Sequence, residues 1–385
     1  MQQAVTASMI RGGTSKGLVI PAGAVPPRGP ELDDLLIRLM GSPDRAQIDG
    51  LGASTSTTNK VMIVDHSPDA QGRLHYLFAQ LAPDRPIVDY GGNCGNMTAA
   101  VATYVVEQGL VTTGDGVTEV RLYNDNTDKE IRATVPTPGG VVTARGDHMI
   151  AGIPWPGAEI VTRYMEPCGS VFQGMFPTGQ RVDSVTIPSG QTFEVSFVDV
   201  TNPLVFVRAE DIGLAGHELP EQLNEHRDFL ALAEEIRGAC AVRLGLVDEP
   251  AQSAMQSPSI PKLALVAPPR DYVTSGGNPV GAEEYDVLGR IMSVQKVHHA
   301  YALSGVMCTG SAALIEGTIP HDASPVESPA GAGSAIVRVG HPKGVARTIV
   351  ELDPDAAGGP VVSTSVTRTA RTLFTGVALP RPVLK

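Results

Sequence analysis

The chain has 385 residues, 42% of them apolar, 18% charged and 4% aromatic, with 42 glycines, 31 prolines and a formal net charge of −12. That size exceeds one typical core, and the aliphatic content excludes a disordered chain. The acidic balance, without any Lys/Arg block, argues against a nucleic-acid binder. A small anionic ligand remains open to it if a few basic groups and helix N-termini converge locally.

In chain order, "RGGTSKG" (11–17) reads as a tight turn running into a strand at 17–21. It lacks the spacing of a phosphate loop, but Ser15 and Lys16 could grip a carboxylate as hydroxyl donor and point charge. A helix is expected over Leu32–Met40. The hydroxyl-dense "GLGASTSTTN" then leads to Lys60, which opens the apolar strand "KVMIVD" (60–65). A strand-edge lysine is ordinarily a solvated group; partial burial here would favour the uncharged amine that a general base needs near neutral pH. Further strands are expected at 74–81 and 118–124.

Between those two strands lies "YGGNCGNMTAA" (90–100), a lone thiol flanked by Gly-Asn pairs just before a small-residue helix over Met97–Gln108. Helix starts leave amides without intrahelical partners, so this turn is suited to hold an anion and to make Cys94 competent in acid–base chemistry. The loop "PTGQRVDSVTIPSG" (177–190) divides the chain into expected lobes at 1–185 and 186–385, the final segment having the option of returning to the first lobe. Strands follow at 192–200, 203–207, 262–268 and 334–340, with helices at Leu223–Arg237, Tyr285–Ser293 and Gly310–Glu316. On the helix expected at Tyr285–Ser293, Arg290 and Ser293 would share a face and clamp a carboxylate.

The halves echo one another. Lys60 and Lys262 each open an apolar strand, and Cys94 and Cys308 each head a small-residue helix. Two similar lobes would therefore each offer an anion-binding turn to a shared cleft. The four cysteines form no CxxC pair, which suggests reduced thiols in the cytoplasm rather than a zinc ribbon or disulfide framework. No metal site is expected, because the adjacent His298 and His299 lack a second cluster. No leader and no membrane-length apolar run is visible.

The pieces "RGGTSKG", "MGSPDRAQIDGLGAS", "NKVMIV", "DYGGNCGNMTAAV", "FPTG", "PKLALV", "KVHHAYALSGVMCTGSAALIEGT", "HPKG" and "TRTARTLFTG" together span nearly the whole chain. In these motifs the chain resembles the PrpF-like isomerases, which include aconitate, 2-methylaconitate and methylitaconate isomerases and 4-oxalomesaconate tautomerase. The resemblance implies a strand-rich α/β protein of the diaminopimelate epimerase-like fold: two pseudo-symmetric lobes, each with a sheet wrapped around a central helix. It implies a cofactor-independent isomerase that shifts an allylic proton, or interconverts cis and trans forms, on an unsaturated di- or tricarboxylate. A homodimer is compatible with it. Carried over by position, Lys60 is the base and Cys94 the thiol beside it, Asn93 and Gly95 offer amide donors, and Ser15, Thr178, Arg290, Thr309, Gly310 and Ser311 line the substrate cleft.

The alternative on this fold is a two-thiol amino-acid epimerase. Its motifs resemble Cys-Gly-Asn-Gly and Cys-Gly-Thr-Gly; laid over this chain, they put Gly91 and Met307 where the thiols belong, with Cys94 and Cys308 displaced.

Overall fold

The computed structural model describes residues 4–324, 326–356 and 359–383. The chain divides into two compact units, Met1–Arg163 with Thr367–Lys385 and Tyr164–Val366. The first crossing falls inside the strand Ile160–Met165, ahead of the 177–190 loop in which the sequence suggests a break.

Unit 1 starts with the antiparallel hairpin Val5–Gly12 and Ser15–Pro21. The second strand pairs in parallel with Lys60–Val64, which runs antiparallel to Leu74–Leu81. That strand lies parallel to Gly116–Asn124, which is hairpinned with Lys129–Thr137. The returning strand Ala370–Ala378 closes against Val5–Gly12.

Alternation assigns the two faces of this sheet different work. Val61, Ile63, Ala79 and Leu81 pack with Leu32, Leu35, Leu36 and Leu39 of the amphipathic helix Pro30–Met40. Each buried leucine contributes roughly 1.5–3 kcal/mol. Proline at the first turn starts that helix and Gly41, at φ +83°, ends it. The other face carries Lys60, Met62, Tyr76, Phe78 and Gln80.

The helix Gly95–Glu107 is buried from Gly95 through Val106. Burial around its whole circumference suits its run of Ala, Val and Thr and makes it the core about which the strands of unit 1 are arranged.

Unit 2 repeats the pairing scheme. Thr192–Val200 and Asn202–Arg208 form a hairpin, whose second strand lies parallel to Lys262–Ala267. Lys262–Ala267 is antiparallel to Val287–Ser293, which is parallel to Gly333–His341, itself hairpinned with Gly344–Leu352. The register repeats as well: Gly17 stands opposite Lys60, and Leu204 opposite Lys262. The buried helix here is Leu303–Ala313, and Arg227–Arg243 packs on the outer face through Phe229, Ala233 and Ile236.

Three expected elements need correction. The helix expected at Leu223–Arg237 is two helices, Pro220–Glu225 and Arg227–Arg243, parted at the extended His226, whose side chain caps the second. Tyr285–Ser293 is not a helix; Val287–Ser293 is a strand, buried at every position but the last. Its paired apolar residues at 287/288 and 291/292 fit a helical period, but burial on both faces of a strand produces the same run. The second central helix begins at Leu303, well before Cys308, so Cys308 lies within it. Among the described residues, no helix is long and apolar enough to cross a membrane.

Candidate active site

The residues expected to act together in unit 1 are assembled by its hairpin and buried helix. Cys94 is the N-cap of Gly95–Glu107, in extended conformation at φ −120° and only partly exposed. Its amide donates to Asn93 Oδ1 at 2.6 Å, and Thr98 returns a backbone bond to Cys94 O at 3.0 Å. The Tyr76 hydroxyl donates to Asn93 Oδ1 at 3.3 Å and lies 3.1 Å from the Thr98 hydroxyl. Because Tyr76 shares its sheet face with Lys60 and Gln80, these bonds seat the Cys94 turn on the face that carries the lysine.

The "RGGTS" turn packs on the helix start. A Cβ on Gly12 would stand 2.2 Å from Asn96 O, and one on Gly13 would stand 2.1 Å from Asn96 Oδ1, so only glycine allows this approach. Asn96 Nδ2 donates to Thr14 Oγ1 at 3.0 Å and to Ser15 Oγ at 3.4 Å, while its Oδ1 accepts from Arg368 Nε at 2.9 Å. Arg11 Nη1 donates to Thr369 O at 2.9 Å, and burial, with Arg371 nearby, draws the Arg11 pKa down. Ser15, Asn93, Cys94 and Gly95 are thus brought together within unit 1, beside two guanidinium groups. The first-turn amides of a helix lack intrahelical acceptors and carry partial positive charge. Two guanidinium groups and the helix-start amides thus lie together on a chain that is acidic as a whole, with the Asp89 carboxylate accepting the Gly91 amide at 2.7 Å.

Lys60 is 8% exposed, so it is not a solvated edge group. Its Nζ donates to Gln80 Oε1 at 2.5 Å and lies 5.1 Å from the centre of the Phe78 ring.

The expected residues of unit 2 are bound into separate places. Thr178 donates its hydroxyl to Asp183 Oδ2 at 2.6 Å, and Asp183 is also paired with Arg243. Arg290 is 1% exposed, donating from Nε to Glu218 O at 2.7 Å and from Nη1 to Gly289 O at 2.8 Å. Burial lowers its pKa to about 10. It shares a strand face with Leu288 and Met292, whereas Gly289 and Ile291 meet Tyr301 and Gly305 on the helix side. Arg290 therefore points away from Leu303–Ala313, and on a strand Ser293 falls on the opposite face from it. Thr309, Gly310 and Ser311 are fully buried within the helix, not at its head. Thr309 lies 3.0 Å from the Tyr301 hydroxyl, and a Cβ at Gly310 would collide with Thr348. The helix start of unit 2 is instead Ala302–Gly305, where Thr201 donates to Ser304 O at 3.0 Å. His298 Nδ1 accepts from the Ala300 amide, an ordinary turn contact. Among the described residues, no group of His, Cys, Asp or Glu is arranged to hold a metal ion.

Residue reading alone does not reach Gln80, Tyr76, Asn96 or Arg368. The first two depend on strand register and the last on chain return; "TRTARTLFTG" is the only trace of Arg368 in the sequence.

The family model described as PrpF protein matches residues 2–380. The chain belongs to the PrpF family. It is 38% identical to the 2-methyl-aconitate isomerase of Shewanella oneidensis over 98% of this chain and 97% of that protein. The crystal structure of a methylitaconate-delta-isomerase superposes with a TM-score of 0.78 at 33% identity, covering 98% of this chain and 96% of the other. A hydroxyproline epimerase from Agrobacterium vitis, 14% identical, superposes with a TM-score of 0.59 over 98% of this chain and 94% of its own; at that identity it shows the fold alone. This PrpF protein is an isomerase with the diaminopimelate epimerase-like fold.

Proposed function

We propose that this PrpF protein moves an allylic proton, with or without cis–trans interconversion, on an unsaturated di- or tricarboxylate of the aconitate, methylaconitate or oxalomesaconate class, with Lys60 as the base. The observation that carries the reading is the withdrawal of Lys60 from solvent onto Gln80, on the sheet face that also seats the Cys94 helix start. The relatives' substrates, methyl-aconitate and methylitaconate, contain the required C=C–COO⁻ unit.

In the proposed step, the Lys60 amine removes hydrogen from carbon adjacent to that unit. The C–H electron pair delocalises into the double bond and carboxylate, leaving an extended anion and a lysine ammonium. The ammonium, or the Cys94 thiol, then returns a proton to a different carbon, so no atom is lost or gained. Rotation about the bond that is temporarily single permits the geometric change. The growing charge needs donors fixed in advance, and the helix amides near Gly95, the Ser15 hydroxyl and the Arg368 guanidinium are suited to that role.

The test is deuterium wash-in from solvent, with a panel of aconitate, 2-methylaconitate, methylitaconate and 4-oxalomesaconate. Lys60→Ala should abolish wash-in while the accepted acid still raises the melting temperature. A variant that keeps most of its turnover would remove the lysine from the reaction.

A further inference from the structure

We infer that Gln80 is the positioning residue for Lys60, holding its amine through an uncharged acceptor whose direction the backbone dictates. The inference rests on the reading of Lys60 as base. Gln80 stands directly opposite Lys60 in the antiparallel pair and is 6% exposed. Its Nε2 lies 3.0 Å from Ser56 O, 2.9 Å from Asn59 O and 3.1 Å from Leu81 O, so its two N–H groups are shared among three carbonyls. All three partners are carbonyls, which can only accept, so the NH₂ end of the carboxamide must face them. Oε1 is therefore left facing Lys60 Nζ; the reversed amide would set oxygen against three oxygens and NH₂ against the amine. Asn59 is itself held: its carbonyl also accepts from the Leu81 amide at 3.0 Å, its Nδ2 donates to Gln47 Oε1 at 2.8 Å and to Thr55 O at 2.9 Å, and Gln47 Nε2 donates to Met40 O at 3.0 Å.

This arrangement suits a lysine that must change charge twice in each turnover. Amine and ammonium both have an N–H to give to Gln80, so the tether survives the cycle and the remaining directions on nitrogen stay restricted. A carboxylate in the same place would bind the ammonium preferentially and oppose return to the amine. The amide fixes position without selecting a charge state.

The experiment uses the full chain, reading turnover, deuterium wash-in and affinity for propane-1,2,3-tricarboxylate, a saturated acid with no allylic proton. Gln80→Met should lower kcat about 10–100-fold with KM within about threefold, as expected when the base is misplaced and substrate contacts are kept. Gln80→Glu, which keeps size and shape, should lose about 100-fold or more in kcat. In the Lys60→Ala background, adding Gln80→Met should leave tricarboxylate affinity unchanged within about twofold. A large loss of affinity there would overturn the inference, marking Gln80 as a support for the fold. Wild-type kcat in Gln80→Met, with Lys60→Ala inactive, would overturn it and spare the lysine reading. An active Lys60→Ala would instead overturn that reading. Should Gln80→Met fail to fold, Gln80→Glu decides: near wild-type kcat overturns the inference, and loss at unchanged affinity supports it.

Discussion

The two buried helices, Gly95–Glu107 and Leu303–Ala313, occupy equivalent places in the same succession of paired strands, yet their surroundings differ in chemistry. Cys94 caps the first helix and is partly exposed, whereas Cys308 is the sixth residue of the second and is fully buried, a burial that pushes its thiol well up. Lys60 is withdrawn onto a side-chain acceptor; Lys262, its register counterpart, donates to the Ser259 carbonyl and is half-buried. The turn on the first helix is Gly-Gly, and that on the second contains Thr201 at φ +60°. A duplicated frame has not kept duplicated chemistry. This asymmetry disfavours the two-thiol epimerase, which needs an ionisable sulfur in each half.

The comparison is broken most directly at the lysines. Lys60→Ala should reduce kcat about 10³-fold, within the range for a lost general base, while Lys262→Ala stays within about threefold in the same turnover assay. Comparable losses in both would restore symmetry between the units. Next come the turns: Gly12→Ala forces a Cβ onto Asn96 O and should cost about 1–3 kcal/mol in denaturant melts. Thr201→Gly relieves a left-handed threonine, worth about 1–2 kcal/mol, but gives up its bond to Ser304, worth about 1 kcal/mol, so its melt should move little.

Arg290→Met tests whether that guanidinium serves the fold or the ligand. It strands the Glu218 and Gly289 carbonyls, so stability should fall by about 1–3 kcal/mol with KM unchanged. A raised KM without a stability loss would return Arg290 to the substrate. The smallest effect belongs to the second thiol: Cys308→Ser should leave kcat within about twofold, and Cys94→Ser should lower it more. Alkylation sharpens this pair. Thiolate is the reactive form and burial disfavours it, so Cys240 and Cys308, both raised, stay protected in the folded protein at pH 9. Mass spectrometry should find Cys94 modified first, and all four cysteines only after unfolding.

Much of this frame is visible in the residues alone. Leu74–Leu81 and Thr192–Val200 are apolar enough to stand out, and the small-residue run after Cys94 does form a helix. Lys129–Thr137 and Gly344–Leu352 escape notice because Arg, Thr and Glu alternate with their apolar residues, as expected of strands with one wet face, and Ala370–Ala378 because its apolar residues Leu373, Phe374 and Val377 follow no such alternation and stay exposed. "CTGS" reads as a turn because of its glycine, but Gly310 is there to let Thr348 approach a helix already under way. Lys60 and Cys94 are conspicuous from their local sequence. Gln80 and Arg368 are not, since the first meets the lysine only through strand register and the second reaches Asn96 across 272 positions of chain.

That long return has a consequence for biosynthesis. The edge of Val5–Gly12 that Ala370–Ala378 covers cannot be paired until the ribosome has finished the whole of unit 2. An emerging polypeptide must carry an open β-edge near its start throughout elongation, which makes this strand the natural place for a chaperone to hold or for misassembly to begin.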